Sequence, residues 1–381
     1  MKKLVRKHLN RMALYVCVLS ALSIARGAAP IAISMTTERW QTKENAEFYR
    51  QAGFYHGLMR LNSGNAVLKD VTFGDGTIEF DVNTIGRDMP GIAFRQQDDN
   101  TFELLYLRPD PACPAFNACM QYTPGTHGVM LWDLYPQYQS RAPLRENGWN
   151  HIKMVISGRR MNVFVNDAVA PTLAVGRLEG GALKGSVRLL GPATYANLTI
   201  TPDAVEGLTP EPVKDPTEGD RGLVRKFRLS PVSVAPETQA PRYEEMPRAS
   251  AEWKTIDAEG RGLINLSRVY GLPARAPHQA TAWLKTTIAS DLKQTMQVQI
   301  GWTSEVWVFV KGKLVFTDKN LWEPESARKT PDARCSLDNA SFALPLEAGD
   351  NEIAIALANN FFGWGLMLRL PDPEGVHLAM K

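Results

Sequence analysis

Two carboxylates two residues apart raise the first question of chemistry. In the stretch GTIEFDVN (76–83), Glu79 and Asp81 alternate with Ile78, Phe80 and Val82. A β-strand turns successive side chains to opposite faces, so the acids share one face and the apolar residues the other. Same-face neighbours have Cα atoms about 6.6–7 Å apart. That brings two carboxyl groups near the roughly 5.5 Å separation of a retaining glycosidase. The third polar position is Asn83 rather than a further acid. Alternation of this kind more commonly marks the wet face of an ordinary strand, and the sequence leans that way.

Aromatic residues offer a different chemistry. The segment QYTPGTHGVMLWDLYPQYQ (121–139) sets Tyr122, Trp132, Tyr135 and Tyr138 among Gln121, His127 and Asp133. Sugars present apolar C–H faces edged with hydroxyls. Flat rings cover the faces, while amides, carboxylates and guanidinium groups bond the edges. In FELLYLRP, Tyr106 and Arg108 fall on one side of a strand and join that set. A ligand site in this half is expected to gather Arg95, Tyr106, Arg108, Gln121, Tyr122, His127 and Trp132. The competing reading places Trp132 and Tyr135 in the core. Farther along, Trp302, Trp307, Trp322 and Trp364 pose the same choice: Trp364 in FGWG reads as core, and Trp322 in the polar loop DKNLWEPES as exposed. No His/Asp/Glu group has metal-ligand spacing. No nucleophile elbow, phosphate loop or dinucleotide fingerprint appears, so neither metal nor cofactor is expected.

The elements that must hold these residues are strands. Short alternating runs such as GIAFRQ, NHIKMVIS, MNVFVN and GSVRLLG recur between Gly, Pro, Asn and Asp about every ten residues, the pattern of an all-β sandwich. Hairpin turns are expected at 96–101 and 157–160. Composition shifts at 201–222, where prolines and charges displace large apolar residues, which marks a linker over 203–222. Further strands follow, including EVWVFVKGKLVF, with Trp307 and Phe309 facing away from Val306, Val308 and Val310. The chain is therefore read as all-β, with β-sandwich (jelly-roll) domains at 28–202 and 223–381.

Residues 1–27 read as a cleaved signal peptide. Lys2, Lys3, Arg6, Lys7 and Arg11 precede an apolar run from Met12 to Ile24, and Ala25 and Gly27 suit a signal-peptidase site. The alternative is an uncleaved anchor, for which the run is short. The leader holds six Lys/Arg and no acid. Without it 37 basic side chains face 40 acidic ones, so the overall charge of +3 supports no nucleic-acid partner. A periplasmic or extracellular setting follows. In PACPAFNACM, Cys113 and Cys119 flank a short Pro-containing loop and suggest a local disulfide, leaving Cys335 free.

The pieces AVLKDVTFGDGTIEFDV (66–82), GIAFRQQDDNTFELLYLRP (91–109), QYTPGTHGVMLWDLY (121–135) and GWNHIKMVISGRRMNVFVN (148–166) come in an order that resembles concanavalin A-like (laminin G-like) lectin/glucanase sandwiches. More narrowly, they resemble the 3-keto-disaccharide hydrolase-like domains of bacterial exported proteins, over roughly residues 38–202. VWVFVKGKLVF, LPLEAGDNEIAIAL and FFGWGLMLRL resemble galactose-binding-like jelly rolls, which implies an architecture and little about function. Laminarinase-type members of the first group carry Glu-x-Asp-x-(x)-Glu on one strand, and here Asn83 stands third. The 3-keto likeness implies removal of a C2 proton by a base and polarisation of the ketone. Its candidates are His127, Glu79 and Asp81 as catalytic groups, with Arg95 and Arg108 as polarisers. The leading expectation is an exported protein that binds carbohydrate without robust catalysis. The alternatives are a glycoside-cleaving enzyme acting on 3-keto-glycosides and a structural or adhesion module of the envelope.

Overall fold

The computed structural model describes residues 28–42, 46–84, 88–113 and 115–378. The signal-peptide expectation, residues 1–27, lies outside them. Among the described residues no helix is long and apolar enough to cross a membrane.

The chain forms antiparallel sheets stacked in two pairs. In the first sheet the order is Leu173–Val175, Arg160–Val165, Gly148–Ser157, Gly76–Thr84, Ala193–Pro202, Leu58–Leu61 and Ala46–Tyr49. Its partner runs Val129–Met130, Met120–Thr126, Thr101–Leu107, Gly91–Asp98, Ser186–Leu190, Asn65–Leu68 and Trp40–Thr42. Ile78, Phe80 and Val82 point between these sheets and meet Ile92, Phe94, Leu105 and Leu107. Alternation alone dictates that arrangement: one face of each strand is apolar and must be covered. The tight turns fall inside the segments the sequence marks, at 99–100 and at 158–159.

The second pair follows the same rule. One sheet runs Lys254–Asp257, Lys226–Leu229, His278–Ser290, Gly349–Asn359, Ser304–Val310 and Lys313–Asn320. The other runs Ile264–Asn265, Gly365–Arg369, Gln294–Trp302 and Ala340–Leu346. Val306, Val308, Ile353, Ile355 and Leu357 fill the space between, with Trp302 and Trp364 fully buried among them.

Residues 203–222 contain no strand, yet they are not a free tether. The Arg159 N–H donates to the Pro210 carbonyl at 2.9 Å, and the Val213 N–H to that of Gly176 at 2.8 Å. Gly158, at φ +51°, lets this contact form: a Cβ there would stand 2.3 Å from the Pro210 oxygen. The two halves also meet directly. Leu263, Cys335 and Met367 of the second half belong to the apolar cluster of the first. Polar contacts reinforce the seam: the Tyr135 hydroxyl donates to Glu259 at 2.6 Å, and Arg268 donates to the Glu179 carbonyl at 2.6 Å. Cys113 and Cys119 are joined in a disulfide with Cα atoms 6.1 Å apart, and Cys335 is a buried free thiol.

Candidate functional site

A cleft of about 500 Å³ opens where the large sheet of the second half meets the first half. That volume lies in the range of small-molecule sites. Its floor is the end of the sheet's outer face. In the strand Ser304–Val310, Val306 and Val308 point inward, so Glu305, Trp307 and Phe309 point outward. Glu305 lies opposite Lys319 on the next strand, and the Lys319 ammonium donates to its carboxylate at 2.9 Å. Gln279 and Asn360 continue the polar floor, and the Asn360 amide donates to Glu237 at 2.8 Å.

The walls are aromatic. Trp322, 39% exposed, meets Trp132 edge to face with centroids 5.4 Å apart, and the Arg328 guanidinium lies 4.4 Å from its ring centre. Phe361, also exposed, lines the cleft, while its neighbour Phe362 packs on Trp132 at 5.7 Å. Asp133 comes from the first half. Its carboxylate oxygens lie 3.0 and 3.1 Å from the Gly363 N–H, which donates to them, and its own carbonyl accepts from the Cys335 N–H. Burial pushes this carboxyl up to about 7, against the backbone hydrogen bonds and the nearby Arg334 charge that favour the ionised form. An acid whose carboxyl is raised by burial thus borders a cleft whose floor carries a carboxylate paired with Lys319.

The residues expected from sequence divide into three groups. Tyr106, Arg108, Gln121 and Trp132 do come together: Gln121 accepts from the Tyr106 hydroxyl and from Arg108, each at 2.9 Å, and its amide donates to the Trp132 carbonyl at 2.6 Å. The second half covers this face. Trp132 is only 8% exposed, and Arg334 lies over its ring at 5.0 Å. Of the expected ligand set, Trp132 alone borders the cleft. Tyr122 and Arg95 correct the expectation outright. Tyr122 opposes Leu105 in register, faces the fully buried interior and donates to Glu103 at 2.6 Å. Arg95 is 1% exposed and is spent on Asp75 at 2.7 Å and on the Gly74 and Gly158 carbonyls.

The third group is the set of catalytic candidates. His127 sits at φ +49° on an exposed turn and bonds the Arg268 carbonyl at 3.1 Å across the seam, so it does not present a base to a ligand site. Glu79 and Asp81 lie on the outer face of the first sheet, as alternation requires. There His151, opposite Asp81 in register, reaches both: Nδ1 is 2.8 Å from Asp81 and Nε2 3.3 Å from Glu79. Asn197 donates to the other Asp81 oxygen at 2.6 Å. Burial alone would raise the Asp81 carboxyl, but the bonds from His151 and Asn197 outweigh it and hold the group below its ordinary value. His151 is raised in turn, chiefly by its bond to Asp81. Both Asp81 oxygens are thus engaged, one by His151 and the other by Asn197. Among the described residues no group of three or more His, Cys, Asp or Glu is placed to hold a metal ion.

Sequence reasoning named Asp133 beside the aromatic segment without giving it a role, and passed over Gln279, Glu305, Asn360 and Phe361. Only Glu305 carried a local signal: an acid on the same strand face as Trp307 and Phe309.

No protein-family model and no curated protein matches the chain. Among solved structures it is similar to a carbohydrate-binding module from Bacillus subtilis, at 14% identity, covering 46% of this chain and 98% of that one, with a TM-score of 0.31. It is similar to a β-glucanase from Bacillus licheniformis at 12% identity, over 47% and 99% of the two chains, with a TM-score of 0.31. A third likeness, to domain 4 of an extracellular arabinanase from Geobacillus stearothermophilus in complex with arabinotriose, has 12% identity, covers 48% and 86%, and has a TM-score of 0.30. At these scores the architecture rests on the strands themselves, which make this an all-β protein of two antiparallel sandwich pairs.

Proposed function

We propose that this protein binds carbohydrate in the cleft between its two halves. The observation that carries the reading is the pairing of an exposed aromatic wall, Trp322 and Phe361, with a floor of amides and a carboxylate, Gln279, Asn360 and Glu305. A sugar ring needs both: an apolar surface for its C–H face and bidentate partners for its hydroxyl edge. The test is a glycan array on the mature protein followed by calorimetric titration of the best ligand. Trp322→Ala should weaken that ligand by about 1–3 kcal/mol, as loss of a stacking hot spot does, and barely move the melting temperature. Unchanged affinity would remove the cleft as the binding site.

A second reading, glycoside cleavage, is favoured by one observation: Asp133, whose carboxyl burial raises to about 7, lines the same cleft as Glu305. Two carboxyl groups in unlike environments are what proton transfer to and from a glycoside requires. In its 3-keto form, Glu305 would remove the C2 proton and Asp133 would protonate the departing oxygen. Loss of turnover of a 3-keto-glycoside in Glu305→Gln, with the fold intact, would establish it.

We propose a periplasmic or extracellular setting, supported by the basic and apolar segments at 2–24 and by the Cys113–Cys119 disulfide, a bond that persists in oxidising compartments.

A further inference from the structure

The cleft is one end of a longer feature. On the outer face of the large sheet, register sets side chains in rows across three strands. Thr281, Ala358 and Glu305 form the row at the cleft. The next row is Trp283, Ala356 and Trp307, and the one after it is Lys285, Ala354 and Phe309. Two strand spacings separate Trp283 from Trp307, about 9–10 Å, with only a methyl group between them. The Trp283 and Phe309 rings meet across that row with centroids 5.5 Å apart, so the trough has an aromatic floor in line with the polar floor of the cleft.

A segment of the chain fills that trough. Residues 237–253 leave the strand Ser233–Pro236 and return at Lys254–Asp257, with no sheet pairing and a single short 3-10 helix at Tyr243–Glu245. The segment begins at Glu237 and Thr238, which line the cleft. The Tyr243 ring lies in the trough, 6.5 Å from Trp283 and 5.7 Å from Phe309, with Met246 and Trp253 beside it. The polar grip is spread along the segment. Asn360 and the Pro277 carbonyl hold Glu237, and Gln279 donates to the Gln239 carbonyl at 3.1 Å. The Tyr243 hydroxyl donates to Glu352 at 3.0 Å, Arg228 donates to the Trp253 carbonyl at 2.7 Å, and Lys285 lies over the Trp253 ring at 4.5 Å. Tyr243 itself is held by one hydrogen bond. The Arg242–Glu245 ion pair is local to the segment and adds nothing to that grip.

We infer that residues 237–253 are a displaceable strap, and that a glycan chain too long for the cleft alone lifts Tyr243 from the trough and stacks in its place on Trp283 and Phe309, the rings it now covers. The inference rests on the carbohydrate reading of the cleft. A tyrosine ring already lodges where a sugar ring would lie, and sheet continuity gives a linear chain its direction. Because strap and chain compete for one surface, the strap taxes the affinity of long ligands only.

The test uses the full mature chain with cellohexaose, xylohexaose and chitohexaose beside their disaccharides. The hexasaccharide that binds should speed amide exchange across 238–253, and its disaccharide should bind without doing so. Tyr243→Ala should raise hexasaccharide affinity about tenfold and leave disaccharide affinity unchanged. Tyr243→Phe, which keeps the ring and loses only the bond to Glu352, should give a smaller rise. Equal binding of both lengths with no change in exchange, or weaker hexasaccharide binding by Tyr243→Ala, overturns the strap and leaves the cleft standing. Failure of every sugar to bind removes the carbohydrate reading and the strap with it.

Discussion

The two carboxylate sites of this molecule use the same residue types to opposite ends. On the outer face of the first sheet, Glu79 and Asp81 stand half in water with His151 between them. At the cleft, Asp133 is wholly buried and Glu305 nearly so. In the first case donors surround the charge, and Asp81 is held low. In the second, burial dominates and Asp133 rises to about 7. Environment, rather than the spacing of acids along a strand, decides which carboxyl can carry a proton at neutral pH.

The largest effect that sharpens this comparison is on stability. Trp132→Ala should cost about 3–5 kcal/mol in chemical denaturation, the usual range for a buried tryptophan, because the indole bridges Trp322, Phe362 and Arg334 across the seam. A loss under about 1 kcal/mol, as for a surface residue, would show that the seam does not depend on it.

Next comes pH. The Asp133 carboxyl titrates at about 7 when folded, against an unfolded value near 3.9. Its contribution is therefore fully present below about pH 4 and is lost as the pH climbs through 7, on the order of 3–4 kcal/mol. Glu103, raised to about 7 by burial against its bond from Tyr122, acts in the same direction. Asp81, held low, acts in the opposite one: its contribution is present above the unfolded value and lost as the pH falls. Asp133→Asn keeps an acceptor for the Gly363 N–H and cannot ionise. Urea midpoints measured from pH 4 to 8 should fall less steeply in this variant than in the parent. Identical slopes would assign the loss to Glu103.

Smaller again is the effect of Glu305→Gln, which should weaken the best glycan by about 1–2 kcal/mol through loss of a charged hydrogen bond. Smallest is Glu79→Gln. Its carboxylate is more than a third exposed and meets His151 at 3.3 Å, so stability should move by less than about 0.5 kcal/mol, and glycan affinity not at all. A reversal, with Glu79→Gln abolishing binding and Glu305→Gln silent, would return the site to the strand GTIEFDVN.

Much of the fold was legible because strand formation is a local matter. The alternation of Ile78, Phe80 and Val82 with Glu79 and Asp81 specified which side chains point inward before any partner strand was known. The same logic separated Val306 and Val308 from Trp307 and Phe309, and turn residues marked the hairpins at 99–100 and 158–159. Trp322 was legible as exposed because its loop neighbours are polar, and Trp364 as core because small residues crowd it.

What the sequence could not decide was which outward face meets water. Tyr106, Arg108, Gln121 and Trp132 converge as alternation and proximity suggest, yet the loops around Trp322, Arg334 and Phe362, some two hundred residues later, close over them. Tyr122 and Arg95 were misplaced because an aromatic phenol and a guanidinium are polar enough to look external, while buried Glu103 satisfies the first and Asp75 with two backbone carbonyls the second. The cleft draws Asp133, Gln279, Glu305, Trp322 and Asn360 from five separate segments, and only the packing of one half on the other makes them neighbours. By itself, then, the sequence determined the strands and their inner faces, because a side chain's direction follows from a two-residue period. The site was decided by tertiary structure, because burial and juxtaposition belong to the whole chain and leave no period in any part of it.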